Sequence, residues 1–319
     1  MMKFEPKVSI CIPTYNQPTF FKRLLSSIEQ QTYRNIEIIV SDDSNNAEVQ
    51  QVCDAFQHRL DIQYFHHAPA LKTPRNWNFA LDKATGDLLM LIHQDDWLAS
   101  KESIAQYVTA FEQYPKANFI FSKNTPKLLD GSTVEIKTNY DYIKRLGTNP
   151  YLLVKNYVVG PPSNIMVRKS VQTRYEERFI WLVDVDYCVR TIEQGNSIHY
   201  IDERLVYIGM HPEQTTVFCN NNPHIVLREN ILYCAKIPAS AFKNIELYDY
   251  FWRLIRNHKV RKPEDLYATG VQPTEVRPLL RSMVQFQKRI PLSLLNIGVL
   301  SKTLMAIHYC LHKSAIKHP

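Results

Sequence analysis

Three polar segments within the first hundred residues each follow an apolar run: Pro13-Thr14-Tyr15-Asn16 after residues 8–12, Asp42-Asp43-Ser44 after residues 36–40, and Gln94-Asp95-Asp96 after residues 88–92. Continuous apolar runs of this length, rich in Val and Ile, read as strands buried on both faces. Between the first two, Phe20, Leu24, Leu25 and Ile28 recur at helical spacing. A crossover long enough for a helix makes the flanking strands parallel and the connection right-handed. A helix over about 47–58, a strand over 62–65 and a helix over 73–84 repeat the rhythm. The pattern therefore predicts a doubly wound α/β sheet with the three polar segments together at the carboxyl edge, where open α/β sheets bind ligands. A carboxylate pair in such a crevice suits a divalent cation that holds a diphosphate.

Composition fits a globular enzyme. The chain has 319 residues, 45% hydrophobic and 22% charged, enough to bury one substantial core with an appended subdomain. The six cysteines, Cys11, Cys53, Cys188, Cys219, Cys234 and Cys310, form no Cys-x-x-Cys pair, and the first residues lack the apolar core of a signal peptide. The expected compartment is the reducing cytoplasm.

Charge is unevenly placed. From Trp252 onward twelve Lys and Arg stand against three acids, interleaved with apolar residues from Leu292 to Leu311. Such a segment can lie on an anionic membrane face, where each basic residue adds about 1 kcal/mol; the plain alternative is helices packed on the catalytic domain with solvated charges. Pro291, Asn296, Ser301, Lys302 and His308 interrupt it, so it is too broken to span a bilayer. Zinc-finger spacing, helix-turn-helix and aromatic RNA-binding signatures are all missing from the sequence, which argues against nucleic acid as a partner.

The segments Val8 to Asn16, Ile38 to Ser44, Asn76-Trp77-Asn78 ahead of Ala84-Thr85-Gly86-Asp87, and Gln94-Asp95-Asp96-Trp97 resemble, in order and spacing, the family-2 glycosyltransferases of GT-A fold. Asp184-Val185-Asp186-Tyr187-Cys188-Val189-Arg190 resembles that family's segment bearing the catalytic base, and His211 to Thr216 its closing loop. The resemblance covers residues 7–217. It implies a GT-A-like, doubly wound, mostly parallel (Rossmann-like) sheet with a C-terminal helical region: a catalytic domain over 1–220, of which 1–100 bind the nucleotide sugar and 101–220 face the acceptor, then a basic, mainly helical region over 221–319.

The resemblance also implies roles. Asp184 would be the base that takes the acceptor hydroxyl's proton; the plain alternative is a helix N-cap. Asp95 and Asp96 would hold Mg²⁺ or Mn²⁺, although His93 stands where the family commonly has an acid. His211 would contact metal or phosphate, or serve as an ordinary residue at a strand end. Asp42, flanked by Asp43, would accept from a uracil or thymine N–H, with Pro13, Thr14, Tyr15 and Asn16 around base and ribose and Gln94 at the third strand end. Asn76 and Asn78 would lie beside the pyrophosphate, unless they only cap and solvate their helix.

The reading that results is an inverting, metal-dependent glycosyltransferase. It would move a sugar from a UDP- or dTDP-linked donor to a lipid-linked or polysaccharide acceptor of capsule or lipopolysaccharide type, on the inner face of the cell membrane. A sugar nucleotidyltransferase would need a glycine-rich loop after the first strand, where residues 13–18 contain no glycine. A non-catalytic relative that binds nucleotide sugar or glycan stays open, given His93 and Val183.

Overall fold

The computed structural model describes residues 4–195, 197–212, 214, 218–219 and 221–312. The chain divides into two compact units, Met1–Pro150 with Tyr157–Pro212, and Tyr151–Asn156 with Glu213–Pro319.

In the first unit the strands are β1 (Val8–Thr14), β2 (Ile36–Asp42), β3 (Ile62–His66), β4 (Leu88–Leu91), β5 (Trp97–Leu98), β6 (Phe119–Ser122), β7 (Pro126–Lys127), β8 (Ile165–Arg168), β9 (Ile198–Ile201) and β10 (Val206–Gly209). Seven form one sheet in the order β3-β2-β1-β4-β8-β6-β9. It is parallel except at β8, which runs against both neighbours. Register places Thr14 opposite Asp42, so the first two polar segments leave the sheet side by side. The short strands β5, β10 and β7 make a second sheet.

Helices cover both faces. Val8, Ile10 and Ile12 pack with α1 (Pro18–Glu29), through Phe21, Leu24, Leu25 and Ile28, with α2 (Glu48–Phe56), through Val49, Cys53 and Phe56, and with Ile104, Tyr107 and Phe111 of the later helix Ser103–Gln113. Cys11 points the other way, its Sγ–H donating to Ala80 O of α3 (Arg75–Lys83) at 3.4 Å. Each fully buried Leu, Ile or Phe in such a layer stabilises by about 1.5–3 kcal/mol. Two helices are shorter than their periodicity suggests, 48–56 and 75–83, and Pro74 sets the later start of α3 because its ring restricts the residue before it.

One charged side chain interrupts the apolar run of β2. Glu37 is fully buried and accepts from Ser9 Oγ at 2.5 Å, Thr85 N at 2.6 Å and Gly86 N at 3.0 Å, with Lys7 Nζ at 2.6 Å. It clasps the amino ends of β1 and β2 to the turn before β4, the end of the sheet away from the polar segments.

The second unit is helical: Pro223–Lys236, Ile245–Asn257, Pro263–Tyr267, Pro278–Lys288, Leu292–Leu295 and Gly298–His312. Asn222 and Asn244 cap the first two by accepting from backbone N–H groups of the opening turn. Trp252, Tyr248, Phe251, Ile255, Leu280 and Met283 are buried at its centre. Residues 151–156, which the sequence reading kept with the catalytic region, join this unit, and Lys155 pairs with Glu246 at 2.5 Å. Among the described residues no helix is long and apolar enough to cross a membrane.

Candidate active site

The three polar segments are cross-tied at the carboxyl edge. Asn16 N donates to Ser44 Oγ at 2.8 Å and Asn45 N to Asn16 Oδ1 at 3.1 Å, which joins the first segment to the second. Tyr15 N donates to Gln94 Oε1 at 2.9 Å and Gln94 Nε2 returns to Tyr15 O at 3.0 Å, which joins the first to the third. Asn16 turns the chain in the left-handed region, φ 47°, one of the few conformations Asn tolerates better than most residues. These ties leave Tyr15 standing 54% exposed above buried Pro13 and Thr14.

Two of the predicted site residues also serve to tie the loops together. Asp42 is fully buried; its Oδ1 accepts from Thr14 Oγ1 at 2.9 Å, Ser44 N at 3.0 Å and Ser44 Oγ at 2.6 Å, and its Oδ2 from Tyr64 OH at 2.7 Å. A carboxylate oxygen offers about two acceptor sites, so Asp42 braces the two loops through a crowded Oδ1 while its Oδ2, which accepts from Tyr64 OH, keeps acceptor capacity. Asp43 accepts only from Leu71 N at 2.9 Å and Lys72 N at 2.7 Å among the described residues, and so retains acceptor capacity. Asn78 is tied in a similar way, its Nδ2 donating to Tyr175 O at 2.9 Å and its Oδ1 accepting from Tyr175 N at 2.7 Å. Asn76, one turn earlier, is 5% exposed and its Oδ1 has no partner among the described residues.

After β4 the chain brings His93, Asp95 and Asp96 together, with one ligand atom of each within 4.8 Å of the others. The His93 ring packs against Trp77 at 4.8 Å between centroids, and its Nε2 is sealed from solvent without a partner among the described residues. Asp95 Oδ2 meets His211 Nε2 at 2.8 Å, while its backbone oxygen accepts from Arg23 Nη2 at 2.6 Å. Asp96 is not at the solvent-facing end its position in the sequence suggests. It is 2% exposed, accepts from Ser163 Oγ, and takes Gly209 N at 2.9 Å. Gly209 is required there by close approach, since a Cβ would stand 2.3 Å from Asp95 O. Burial and the neighbouring Asp95 push the Asp96 carboxyl well above the ordinary range; burial also acts on Asp95, but the His211 hydrogen bond and nearby His93 outweigh it and bring that carboxyl down. The donor set, an open imidazole nitrogen beside a charged carboxylate, fits a divalent cation. His211 grips Asp95 and packs on Phe20 at 5.2 Å, a supporting position outside the group of three.

Asp184 is the second residue of the helix Val183–Gly195, in its first turn and not at the cap. Its Oδ1 is sealed and has no partner among the described residues, and burial raises its carboxyl from 3.8 to about 7. Rings connect this helix to His93: Tyr187 stacks on Tyr175 at 4.1 Å, Tyr175 meets Trp77 edge-on at 5.0 Å, and Trp77 touches His93. Asp186 is buried in an ion pair with Arg190, whose Nη2 also donates to Arg174 O at 2.6 Å, so it is held in place for packing. Of the loop predicted over 211–216, Glu213, Thr215 and Thr216 lie outside the described residues.

A mostly parallel sheet in this strand order, with helices on both faces, defines a GT-A-like fold. The chain belongs to glycosyl transferase family 2, whose model matches residues 9–172. It is 35% identical over 124 residues to Protein CgeD of Bacillus subtilis, covering 37% of this chain and 29% of that one. It is 34% identical over 97 residues to the GalNAc(5)-diNAcBac-PP-undecaprenol beta-1,3-glucosyltransferase of Campylobacter jejuni, covering 30% and 31%. The chain thus matches less than a third of the length of either relative. In three dimensions it is similar to S. aureus TarS 1-349 in complex with UDP-GlcNAc, TM-score 0.60 at 15% identity over 97% of this chain and 92% of that one. It is also similar to the mannosyltransferase PcManGT of Pyrobaculum calidifontis in complex with GDP-Man and Mn2+, TM-score 0.54 at 12% identity, covering 98% and 76%.

Sequence reasoning registered His93 only as a departure from an acid, although a nitrogen ligand two residues before Asp95 is a usable signal. Arg23 and Ser163, which hold Asp95 and Asp96, carried no local signal because their partners lie far along the chain.

Proposed function

We propose that the chain transfers one sugar, with inversion, from a UDP- or dTDP-linked donor to a lipid-linked or polysaccharide acceptor. The observation that carries this reading is Asp184, a carboxyl with an unmet acceptor oxygen and a raised pKa, linked through an aromatic wall to His93 beside Asp95 and Asp96. Its carboxylate takes the proton of the acceptor hydroxyl as that oxygen bonds to the anomeric carbon, and the donor's diphosphate leaves with the electron pair of the broken bond. Asp43 is the acceptor for the uracil or thymine N–H, Tyr15 flanks base and ribose, and Asn76 meets the pyrophosphate. Mg²⁺ or Mn²⁺, held by His93 and Asp95 with Asp96 behind them, would supply positive charge to the departing diphosphate.

In this reading residues 1–100 hold the donor, 101–220 face the acceptor and the basic 221–319 region meets an anionic membrane on its cytoplasmic side. It draws support from a relative named for an undecaprenol-linked substrate and from a structural neighbour solved with UDP-GlcNAc. The test is Asp184→Asn, which preserves shape. Transfer should fall by about 10²-fold or more while UDP affinity holds. Unchanged turnover in the variant sinks the base assignment, and a parent that binds donor but never releases nucleotide favours a non-catalytic relative.

A further inference from the structure

The last described helix, Gly298–His312, is inside out. Ser301 is 1% exposed, Met305 2% and His308 0%, whereas Val299 is 81%, Leu311 66% and Ile307 48% exposed. The polar residues turn inward because their partners are there. Ser301 Oγ accepts from Trp252 Nε1 at 3.2 Å and Arg256 Nη1 at 3.1 Å; His308 is hydrogen-bonded to Tyr248 OH at 2.6 Å and Ser282 Oγ at 3.1 Å. Val299, Thr303, Ile307 and Leu311 stand four apart, which aligns them on one outward face. Ile297 at 52% and Leu294 at 42% exposed extend that apolar surface into the preceding turn.

Surface helices of globular proteins show the opposite pattern, and a contiguous exposed apolar face with a polar rim marks an interaction surface. Charge selects its occupant. After Glu275 the sequence carries seven Lys and Arg and no acid, and Lys288, Arg289 and Lys302 are exposed in the described part. A second copy of so basic a segment would be repelled, whereas an anionic bilayer attracts it at about 1 kcal/mol per basic residue near the surface. At 15 residues the helix is about 22 Å long, short of the roughly 30 Å hydrocarbon core, so it lies in the interface and does not span.

We propose that Gly298–His312 is an in-plane membrane anchor, with Val299, Ile307 and Leu311 inserted among the headgroups and Lys288, Arg289 and Lys302 on the phosphates. The proposal deepens the membrane part of the functional reading and is independent of the transfer chemistry. The full chain should co-sediment with phosphatidylcholine vesicles that contain phosphatidylglycerol, less with phosphatidylcholine alone, and less as salt rises. A Val299→Glu/Ile307→Glu/Leu311→Glu variant should lose about tenfold or more of that binding while it keeps the parent's melting temperature and its transfer to a water-soluble acceptor. Val299→Ser, at the most exposed site, should weaken binding without any route to misfolding. Equal binding by parent and variants, no dependence on anionic lipid, or a parent dimer that the triple variant dissolves would each overturn the proposal. Vesicle binding by a chain that never transfers sugar would sink the enzymatic reading and leave this one standing.

Discussion

At Asp184 the chain keeps a carboxyl where ionisation is costly. Burial raises its pKa from 3.8 to about 7, so between those values the folded state holds a proton that the unfolded chain gives up. Stability from this group is therefore complete below about 3.8 and is lost as pH rises through about 7. Asp184→Asn should raise the melting temperature relative to the parent at pH 8 more than at pH 5. Transfer should gain an acid limb near pH 7, because only the carboxylate is a base. A parent rate that is flat from pH 6 to 8 under chemistry-limited conditions would count against Asp184. His93 makes a second residue-scale case. An imidazole nitrogen favours first-row transition ions over Mg²⁺, which prefers oxygen, so His93→Asp should narrow the gap between Mn²⁺ and Mg²⁺ affinity measured by calorimetry without substrate. The carboxylates after β4 were legible as a motif in the sequence. That Asp42 also braces the loops was not, because one of its hydrogen bonds comes from Tyr64 on another strand.

Elements show the same division between local and distant causes. The helix over 18–29 was readable from Phe20, Leu24, Leu25 and Ile28, since apolar spacing at 3.6 residues is a local property. Structurally Phe21 replaces Phe20 on the buried face, and Phe20 instead packs against His211. Glu37 lay hidden inside an apolar run, because the groups that satisfy it come from residues 7, 9, 85 and 86. Burial would raise its carboxyl, but hydrogen bonds from Lys7, Ser9 and Thr85 prevail and bring it from 4.5 to about 2. Its contribution is thus present above 4.5 and is lost as pH falls toward 2. Glu37→Leu, which strands Lys7 and two backbone N–H groups, should cost about 3 kcal/mol or more at pH 7 in denaturant unfolding. The gap between parent and Glu37→Gln should close as pH drops below 4.5. A gap that stays constant to pH 3 would show that shape, and not charge, matters at this position.

On the scale of the whole molecule the sequence revealed the first unit better than the second. A βαβ rhythm repeats every few tens of residues and marks its ligand edge, whereas a helical unit declares only which residues are apolar, and in Gly298–His312 the buried face is chosen by polar partners from Tyr248, Trp252 and Ser282. The consequence is measurable, because one buried group in each unit, Asp184 in the first and His308 in the second, gives a pH dependence of opposite sign. In the second, burial first and His312 next lower His308 from 6.5 to about 4; the groups around it, Tyr248, Ser282 and His312, offer no carboxylate to offset this. The unfolded chain therefore gains a proton near 6.5 that the folded unit refuses until about 4, and stability from His308 is lost as pH falls through that window. In the first unit Asp184 contributes more over nearly the same interval. Hydrogen exchange corrected for intrinsic rates should then show the helices around His308 opening more readily at pH 5 than at pH 7, with the helix Val183–Gly195 unchanged or better protected. His308→Gln should abolish the first effect and leave the second, and Asp184→Asn the reverse. If both units respond to acid alike in all three proteins, neither buried group governs the pH dependence of the fold.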